Sequence, residues 1–200
     1  MAPTDIATRI RRATSQDTTK IARILAAAFL DGDLADWLEP DRTVRRRIYP
    51  DYFTMLAEHA TAHGHVHLID QGAAAVWYDI TDQPIAPITD YDQRLAAITG
   101  TALPRFQALD EAMRRHHPHG RPHTYLALIA VRPGEQGHRL GSTLLQHQHS
   151  QLDQQHRPAY LEATGQRNSA LYQRYGYERL TPYPIVPGGP NLYPMWRPPT

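Results

Sequence analysis

The chain has 200 residues, 41% of them apolar, a formal net charge of +1 and no cysteine. That size suits one domain with one core, with two small domains as the alternative; the charge balance offers nucleic acid no basic face, and the lack of thiols excludes a disulfide framework and a thiolate zinc site. Residues 1–12 lack the apolar centre of a signal peptide and no run approaches the ~20 apolar residues of a spanning helix, so a cytoplasmic protein without membrane or nucleic-acid partners is expected.

Residues 1–7 read as a flexible tail, and residues 8–12 alternate as a first strand. Thr14, three before Asp17, is a weak capping box opening a helix with Ile21, Ile24, Leu25 and Ala28 on one face. The helix decays at Asp31-Gly32-Asp33, and residues 37–40 read as irregular. A second helix is expected over about 41–63, with Val44, Ile48, Tyr52, Met55 and Leu56 as its apolar stripe. Arg42, Arg45, Arg46 and Arg47 read as its solvated face. Residues 65–70 and 73–79 are strand-like, joined by the hairpin signal Gln71-Gly72. Residues 84–87 break the pattern; 91–98 and 103–115 read as helices, and 116–122 as a turn-rich link. An apolar strand follows at 125–131, a helix over about 140–155, and another strand at 159–163. A short helix at 168–175 ends on Gly176, a left-handed cap. Residues 177–183 and 192–197 are the last two strands, with Gly188-Gly189-Pro190 turning between them. Hairpins early and late around a crossover helix argue α/β or α+β around one partly antiparallel sheet.

The segment after residue 131 carries the chemistry. Gly134, Gly137 and Gly141 punctuate a loop that runs into the helical pattern Leu140, Leu144, Leu145, Leu152. Strand, glycine loop and helix start hold a phosphate, because free N–H groups and the positive end of the helix dipole face the anion. No Gly-Lys-Ser/Thr follows, so this is not a triphosphate P-loop; no G-x-G occurs, so it is not the dinucleotide fingerprint.

Gln136-Gly137-His138-Arg139-Leu140-Gly141 resembles the acyl-CoA loop of the GNAT N-acetyltransferase superfamily, Gln/Arg-x-x-Gly-x-Gly/Ala after a Val-x-Pro strand end. Arg139 stands where that pattern has glycine. Its side chain either crowds a pyrophosphate or swings outward and leaves the N–H in place. Ala26-Ala27-Ala28-Phe29, Pro40-Asp41-Arg42, residues 72–77, Leu161-Glu162-Ala163-Thr164 and Leu171-Tyr172-Gln173-Arg174-Tyr175-Gly176-Tyr177 extend the likeness. Their joint order resembles the puromycin N-acetyltransferase-like branch over nearly the whole chain.

The resemblance implies a single GNAT domain over residues 8–200, with a helical insertion at about 88–118. It implies a mixed, mostly antiparallel central sheet of about six or seven strands, helices on both faces, and a splay between the fourth and fifth strands. It implies an enzyme moving the acetyl group of acetyl-CoA to a primary amine of a small antibiotic-like or amino-acyl metabolite. Direct attack in a ternary complex is the expected route, and antibiotic resistance or biosynthetic tailoring the context. A peptide or protein amine is the first alternative, and a non-catalytic acyl-CoA-binding module the second. A monomer or homodimer is expected.

The resemblance also distributes roles on the CoA side. The pantetheine arm would pair with the backbone of Ile129, Ala130 and Val131, with a backbone N–H of Ala130 or Val131 donating to the thioester oxygen. The pyrophosphate would rest on the loop Gln136, Gly137, His138, Arg139, Leu140, Gly141 and Ser142, and Asn168 would touch CoA. Tyr172 matches the family's general acid: a thiol near pKa ~8.5 can take a proton from a phenol near ~10 at modest cost.

Glu162, on a strand facing the splay, is the candidate base, acting directly or through water; a structural glutamate is the alternative. A weak base suits an α-amine, with pKa about 7.7–8.0, better than a lysine-like amine near ~10.4. Phe29, Asp33, Trp37, Tyr78 and Tyr91 are candidates for the acceptor pocket, aromatic faces for an apolar group and Asp33 for a cation. His123 could touch the acceptor. His63, His65 and His67 alternate and His116, His117, His119 and His123 cluster, but no carboxylate has zinc-site spacing, so no metal is expected.

Overall fold

The computed structural model describes residues 10–83 and 85–200; the expected tail, Thr8 and Arg9 of the first strand, and Pro84 lie outside them. β1 (Ile10–Arg12) pairs antiparallel with β2 (His65–Ile69), which forms a hairpin with β3 (Ala73–Ile80). Gly72 turns that hairpin at φ 127, a region that strains any L side chain. Its carbonyl accepts from the Arg132 N–H at 2.7 Å, tying the turn to the far end of the next strand.

β3 runs antiparallel to β4 (His123–Val131), and β4 runs parallel to β5 (Ala159–Ala163). β8 (Asn191–Arg197) pairs antiparallel with β5, and also receives β6 (Glu178–Arg179) and β7 (Tyr183–Pro184). The order is β1-β2-β3-β4-β5-β8-β6, with β7 beside β8, in an eight-stranded sheet. The strand count exceeds the expected six or seven because residues 177–183 do not form one strand. Prolines at 182 and 184 withhold ladder donors, and the segment reaches β8 only as two dipeptide pairings. The parallel β4–β5 pair requires a crossover, which the helix at Leu140–Gln154 supplies.

A 3-10 turn at Ser15–Asp17 opens α1 (Thr18–Ala28). Asp17 accepts from the Thr14 N–H at 2.9 Å, the carboxylate half of the expected capping box. α2 spans Asp33–Leu38, so of the expected irregular stretch 37–40 residues 37 and 38 are helical and 39 and 40 are not. Six residues are too few to show a helical period. The helix is held by burial of Ala35 and Leu38, and by Arg105 donating to the Trp37 carbonyl at 2.7 Å.

α3 (Arg42–His63) starts at Asp41, which accepts from the Thr43 N–H at 2.7 Å. Its buried set is Arg45, Ile48, Tyr49, Phe53, Met55, Ala57 and Ala60, while Val44, Tyr52 and Leu56 are only half-buried. The expected stripe is broadened because helices cover α3 on two sides. Arg45, expected in solvent, is 3% exposed; it donates to Asp36 and to the Glu39 carbonyl.

α4 (Tyr91–Thr99) and α5 (Leu103–His116) lie between β3 and β4 in the chain, α6 (Leu140–Gln154) between β4 and β5, and α7 (Gln166–Gln173) after β5. Strand alternation divides the interior into two cores. Ala74 and Val76 of β3 join Leu25, Phe53 and Phe106 on one face; Ala73, Ala75 and Trp77 join Leu144, Leu145 and Leu152 on the other. Among the described residues no helix is long and apolar enough to cross a membrane.

Candidate active site

The site begins where β4 and β5 separate. Their pairing is confined to Thr124↔Ala159, Tyr125↔Tyr160 and Leu126↔Leu161. On the other side β4 stays with β3 to its end, but the register slips: Trp77 faces Leu126 and Val76 faces Leu128. Ala127 is therefore an extra residue. A bulge bends its strand and aims it away from a neighbour, and this one falls on the first residue of β4 without a β5 partner. Beyond it, Ile129, Ala130 and Val131 present an open strand edge to which an extended chain can pair.

The glycine loop follows directly. Gly134 and Gly137 have φ 90 and 83, and Arg139 has φ 62 with ψ 10. Arg139 is thus the left-handed residue that precedes α6, a conformation costing a non-glycine residue roughly 1–2 kcal/mol. This explains physically why glycine suits the position. After the Glu135 N–H, which bonds the Arg132 carbonyl at 3.0 Å, the next N–H with a backbone acceptor is that of Thr143, on the Arg139 carbonyl at 2.9 Å. The N–H groups of residues 137–142 are left for an anion, at the positive end of a 15-residue helix. Gln136 Nε2 reaches the Val131 carbonyl at 3.4 Å and Gly141 lies against Val131, so loop and strand edge form one surface. Leu140 is buried as a core anchor, while the exposed side chains of His138 and Arg139 line an open groove with Ser142, Thr143 and Arg174.

Tyr172 lies on α7 and packs against the second core, edge-on to Tyr177 at 5.8 Å. Burial pushes its hydroxyl up to about 12. Asn168, one turn earlier, is exposed, its Nδ2 3.5 Å from Thr164 Oγ1.

Glu162 is the hub of a network that the sequence did not reveal. Tyr125 donates to Oε2 at 2.8 Å; Tyr160 and Tyr183 donate to Oε1 at 3.0 and 3.1 Å. Burial raises the carboxyl above its ordinary range, and the three hydroxyls together with nearby His116 pull it back. Tyr160-x-Glu162 alternation does put both side chains on one face of β5. That Tyr125 stands opposite Tyr160 depends on the parallel register, which no local pattern encodes. His117 packs edge-on against Tyr125 and Tyr160, at 4.8 and 5.1 Å.

Each acceptor-side candidate has its own partners within the fold, and Phe29, Trp37, Tyr78 and Tyr91 pack against the same core. Phe29 stacks on Phe53 at 5.5 Å; Trp37 lies under the Arg105 guanidinium at 6.0 Å. Tyr78 bonds His59 Nδ1 at 2.8 Å, and His59 Nε2 bonds the Ala86 carbonyl at 2.7 Å. The carbonyl can only accept, so Nε2 carries the proton and Tyr78 donates to Nδ1. Tyr91 donates to Asp110 at 2.6 Å, and burial lifts the Asp110 carboxyl to about 6. Asp33 is exposed at the start of α2. His123 is fully buried, with Nδ1 on the Arg121 carbonyl at 2.6 Å and Nε2 on His117 Nε2 at 3.2 Å. Both ring nitrogens are engaged inside the protein, and the ring itself packs edge-on against Tyr160 at 5.5 Å. Among the described residues no group of three or more His, Cys, Asp and Glu side chains could hold a metal ion.

An open strand edge, a run of unpartnered N–H groups and a carboxylate ringed by phenols can hold an extended phosphate-bearing ligand beside a proton acceptor. Known proteins carry the same frame. A Corynebacterium glutamicum structure described as histone acetyltransferase HPA2 and related acetyltransferase is 25% identical, with TM-score 0.68 and 96% of each chain covered. The C-terminal condensation domain of Ebony in complex with beta-alanyl-dopamine is 14% identical, with TM-score 0.63, covering 94% of this chain and 97% of that one. Arylalkylamine N-acetyltransferase 2 from Aedes aegypti is 14% identical, with TM-score 0.58, covering 96% and 99%. The last two likenesses are of fold alone. The family model for the acetyltransferase (GNAT) family matches residues 33–177. With that match over most of its length, on a sheet that splays where such a ligand would enter, the chain belongs to the GNAT acetyltransferase family.

Proposed function

We propose that this chain is a single-domain enzyme transferring acetyl from acetyl-CoA to the primary amine of a small antibiotic-like or amino-acyl metabolite. The observation that carries the reading is the continuity of the open β4 edge with the unpartnered N–H groups of residues 137–142. The loop takes the diphosphate, and Ile129, Ala130 and Val131 pair with the pantetheine arm. A backbone N–H of Ala130 or Val131 stabilises the charge that grows on the thioester oxygen. Asn168 steadies the CoA chain. Tyr172 returns a proton to the leaving thiolate, and Glu162 takes one from the amine. Attack is direct, with both substrates bound, so no acyl group is parked on the protein. Phe29, Trp37, Tyr78 and Tyr91 supply an aromatic acceptor side, which supports an apolar or planar amine over an extended peptide.

A peptide or protein amine is the second reading, favoured by the likeness to a protein described as a histone acetyltransferase. One experiment tests both. Purified protein with acetyl-CoA is offered a panel of aromatic and aliphatic small amines, amino-acyl amines and peptides, with product mass and thiol release measured. Acetylation of small amines at least about tenfold above any peptide, in kcat/KM, is the expected result. Peptide preference moves the assignment to the second reading. CoA binding without turnover of any amine makes the chain a binding module and overturns both.

A further inference from the structure

The proton acceptor of the proposed reaction can be located more closely than at Glu162 as a whole. Glu162 Oε1 already accepts two hydroxyls, from Tyr160 at 3.0 Å and Tyr183 at 3.1 Å, so its two lone pairs are taken. Oε2 accepts one, from Tyr125 at 2.8 Å. Any proton that reaches Glu162 therefore arrives on Oε2, either at its spare lone pair or through Tyr125. The three phenols are not equivalent. Over the whole residue Tyr160 and Tyr183 are 0% and 4% exposed and Tyr125 is half-buried, with its hydroxyl set deep. Tyr125 also stands one residue before the last β4–β5 pair and two before the Ala127 bulge, at the mouth of the splay. Its hydroxyl hydrogen points at Oε2, which leaves its oxygen lone pairs as acceptors.

We infer that Tyr125, rather than Glu162 directly, takes the proton of a charged acceptor amine and passes its own hydroxyl proton to Glu162 Oε2. This rests on the acetyltransferase reading above. The amine N–H bond breaks as its hydrogen bonds Tyr125 Oη, and the Tyr125 O–H bond breaks as that hydrogen bonds Oε2. Tyr125 is neutral before and after, and Glu162 changes from carboxylate to acid. The nitrogen keeps its electron pair and attacks the thioester carbon. The C–S pair leaves with sulfur, which takes a proton from Tyr172, and the attacked nitrogen's second proton restores Tyr172. The groups facing Glu162 are Tyr125 from β4, Tyr160 from β5, Tyr183 from β7 and the histidines at the end of α5. His116 lies flat on Tyr183 at 3.8 Å, and His117 packs edge-on against Tyr125 and Tyr160.

The test compares wild type, Tyr125→Phe and Tyr183→Phe with acetyl-CoA and two acceptors, 2-phenylethylamine and its β,β-difluorinated analogue. The two amines are nearly the same size, but the fluorinated one is largely neutral at assay pH and needs no proton removed before attack. Tyr125→Phe is expected to lose about 100-fold in kcat with 2-phenylethylamine and less than about threefold with the difluoro amine, with KM for acetyl-CoA unchanged. Tyr183→Phe removes a donor from Oε1 alone and is expected to change both activities by the same factor while its acid limb moves to higher pH. Tyr125→Phe equal to or faster than wild type on 2-phenylethylamine means that Oε2 acts directly, and equal loss on both amines means that Tyr125 is structural; either overturns the inference alone. Wild type silent toward both amines overturns the inference for a charged aryl acceptor, and silence toward every amine of the panel above overturns the acetyltransferase reading itself. A measurement on wild type covers a variant that does not fold: turnover of 2-phenylethylamine in H2O–D2O mixtures should bow, with two hydrogens moving together, and a straight plot overturns the relay.

Discussion

Gly141 and Val131 stand in contact across the turn between β4 and α6: a Cβ on Gly141 would lie 3.4 Å from Val131 Cγ2. That is ordinary van der Waals separation, so one methyl fits and a branch does not. Gly141→Ala should keep acetyl-CoA binding and gain up to about 1 kcal/mol from helix propensity. Gly141→Val should push on Val131 and loosen acetyl-CoA by about tenfold or more. Calorimetric titration with thermal melts checks both; undiminished binding by Gly141→Val would falsify the loop–strand coupling.

Arg139 carries a testable strain. Its φ of 62 is costly for a side chain and free for glycine. Arg139→Gly should raise stability by about 0.5–1 kcal/mol net of the added freedom of the unfolded chain, and Tm by about 2–3 °C. It also removes a cation from the groove. Acetyl-CoA affinity should fall about two- to fivefold at low salt and converge with wild type at high salt. A lower Tm contradicts the strain argument.

The Tyr172 hydroxyl is a weaker acid than the sequence suggested. At about 12 it lies above a thiol near ~8.5, so full proton transfer in the free protein would be uphill by about 5 kcal/mol. Donation therefore accompanies C–S cleavage instead of preceding it. Tyr172→Phe should lower kcat about 10- to 100-fold with the Kd for acetyl-CoA within about twofold. A wild-type basic limb below pH 10 should survive the substitution, because Tyr172 stays protonated there. Parallel loss of kcat and affinity would remove Tyr172 from the chemistry.

His67 and His149 make the fold acid-sensitive. They are 7% and 5% exposed. Burial, helped by His147 for His67 and by Arg197 for His149, lowers each to about 4. The unfolded value is about 6.5, so between pH 6.5 and 4 the unfolded chain binds more protons and stability falls as pH falls. The contribution is whole above about 6.5 and lost near 4. Urea midpoints should decline through that window, and His149→Gln should reduce the slope by about 1.4 kcal/mol per pH unit where one proton separates the states. A midpoint that stays flat from pH 7 to 4.5 would exclude the effect.

Much of this molecule is written in short-range pattern. Alternation at Ala73, Ala74, Ala75 and Val76 divides the two cores, and Gln71-Gly72 makes its hairpin because only a turn of that kind tolerates φ 127. The loop at 134–141 was legible because glycines before an amphipathic helix leave the same N–H groups free in any context. The roles given to Tyr172 and the loop came from likeness to a family rather than from periodicity.

Tertiary structure decided what alternation and spacing cannot reach. Whether Tyr125 meets Glu162 depends on how far β4 slides along β5, and a slip of one residue would turn Glu162 to the other face. The Ala127 bulge, the burial of Arg45 beneath α2 and the packing of His123 against Tyr160 each arise from contacts between different segments of the chain. Local free energy sets which residues become strand, turn or helix. Register is chosen by the packing of the whole sheet between its two helical layers, and here register is what assembles the site.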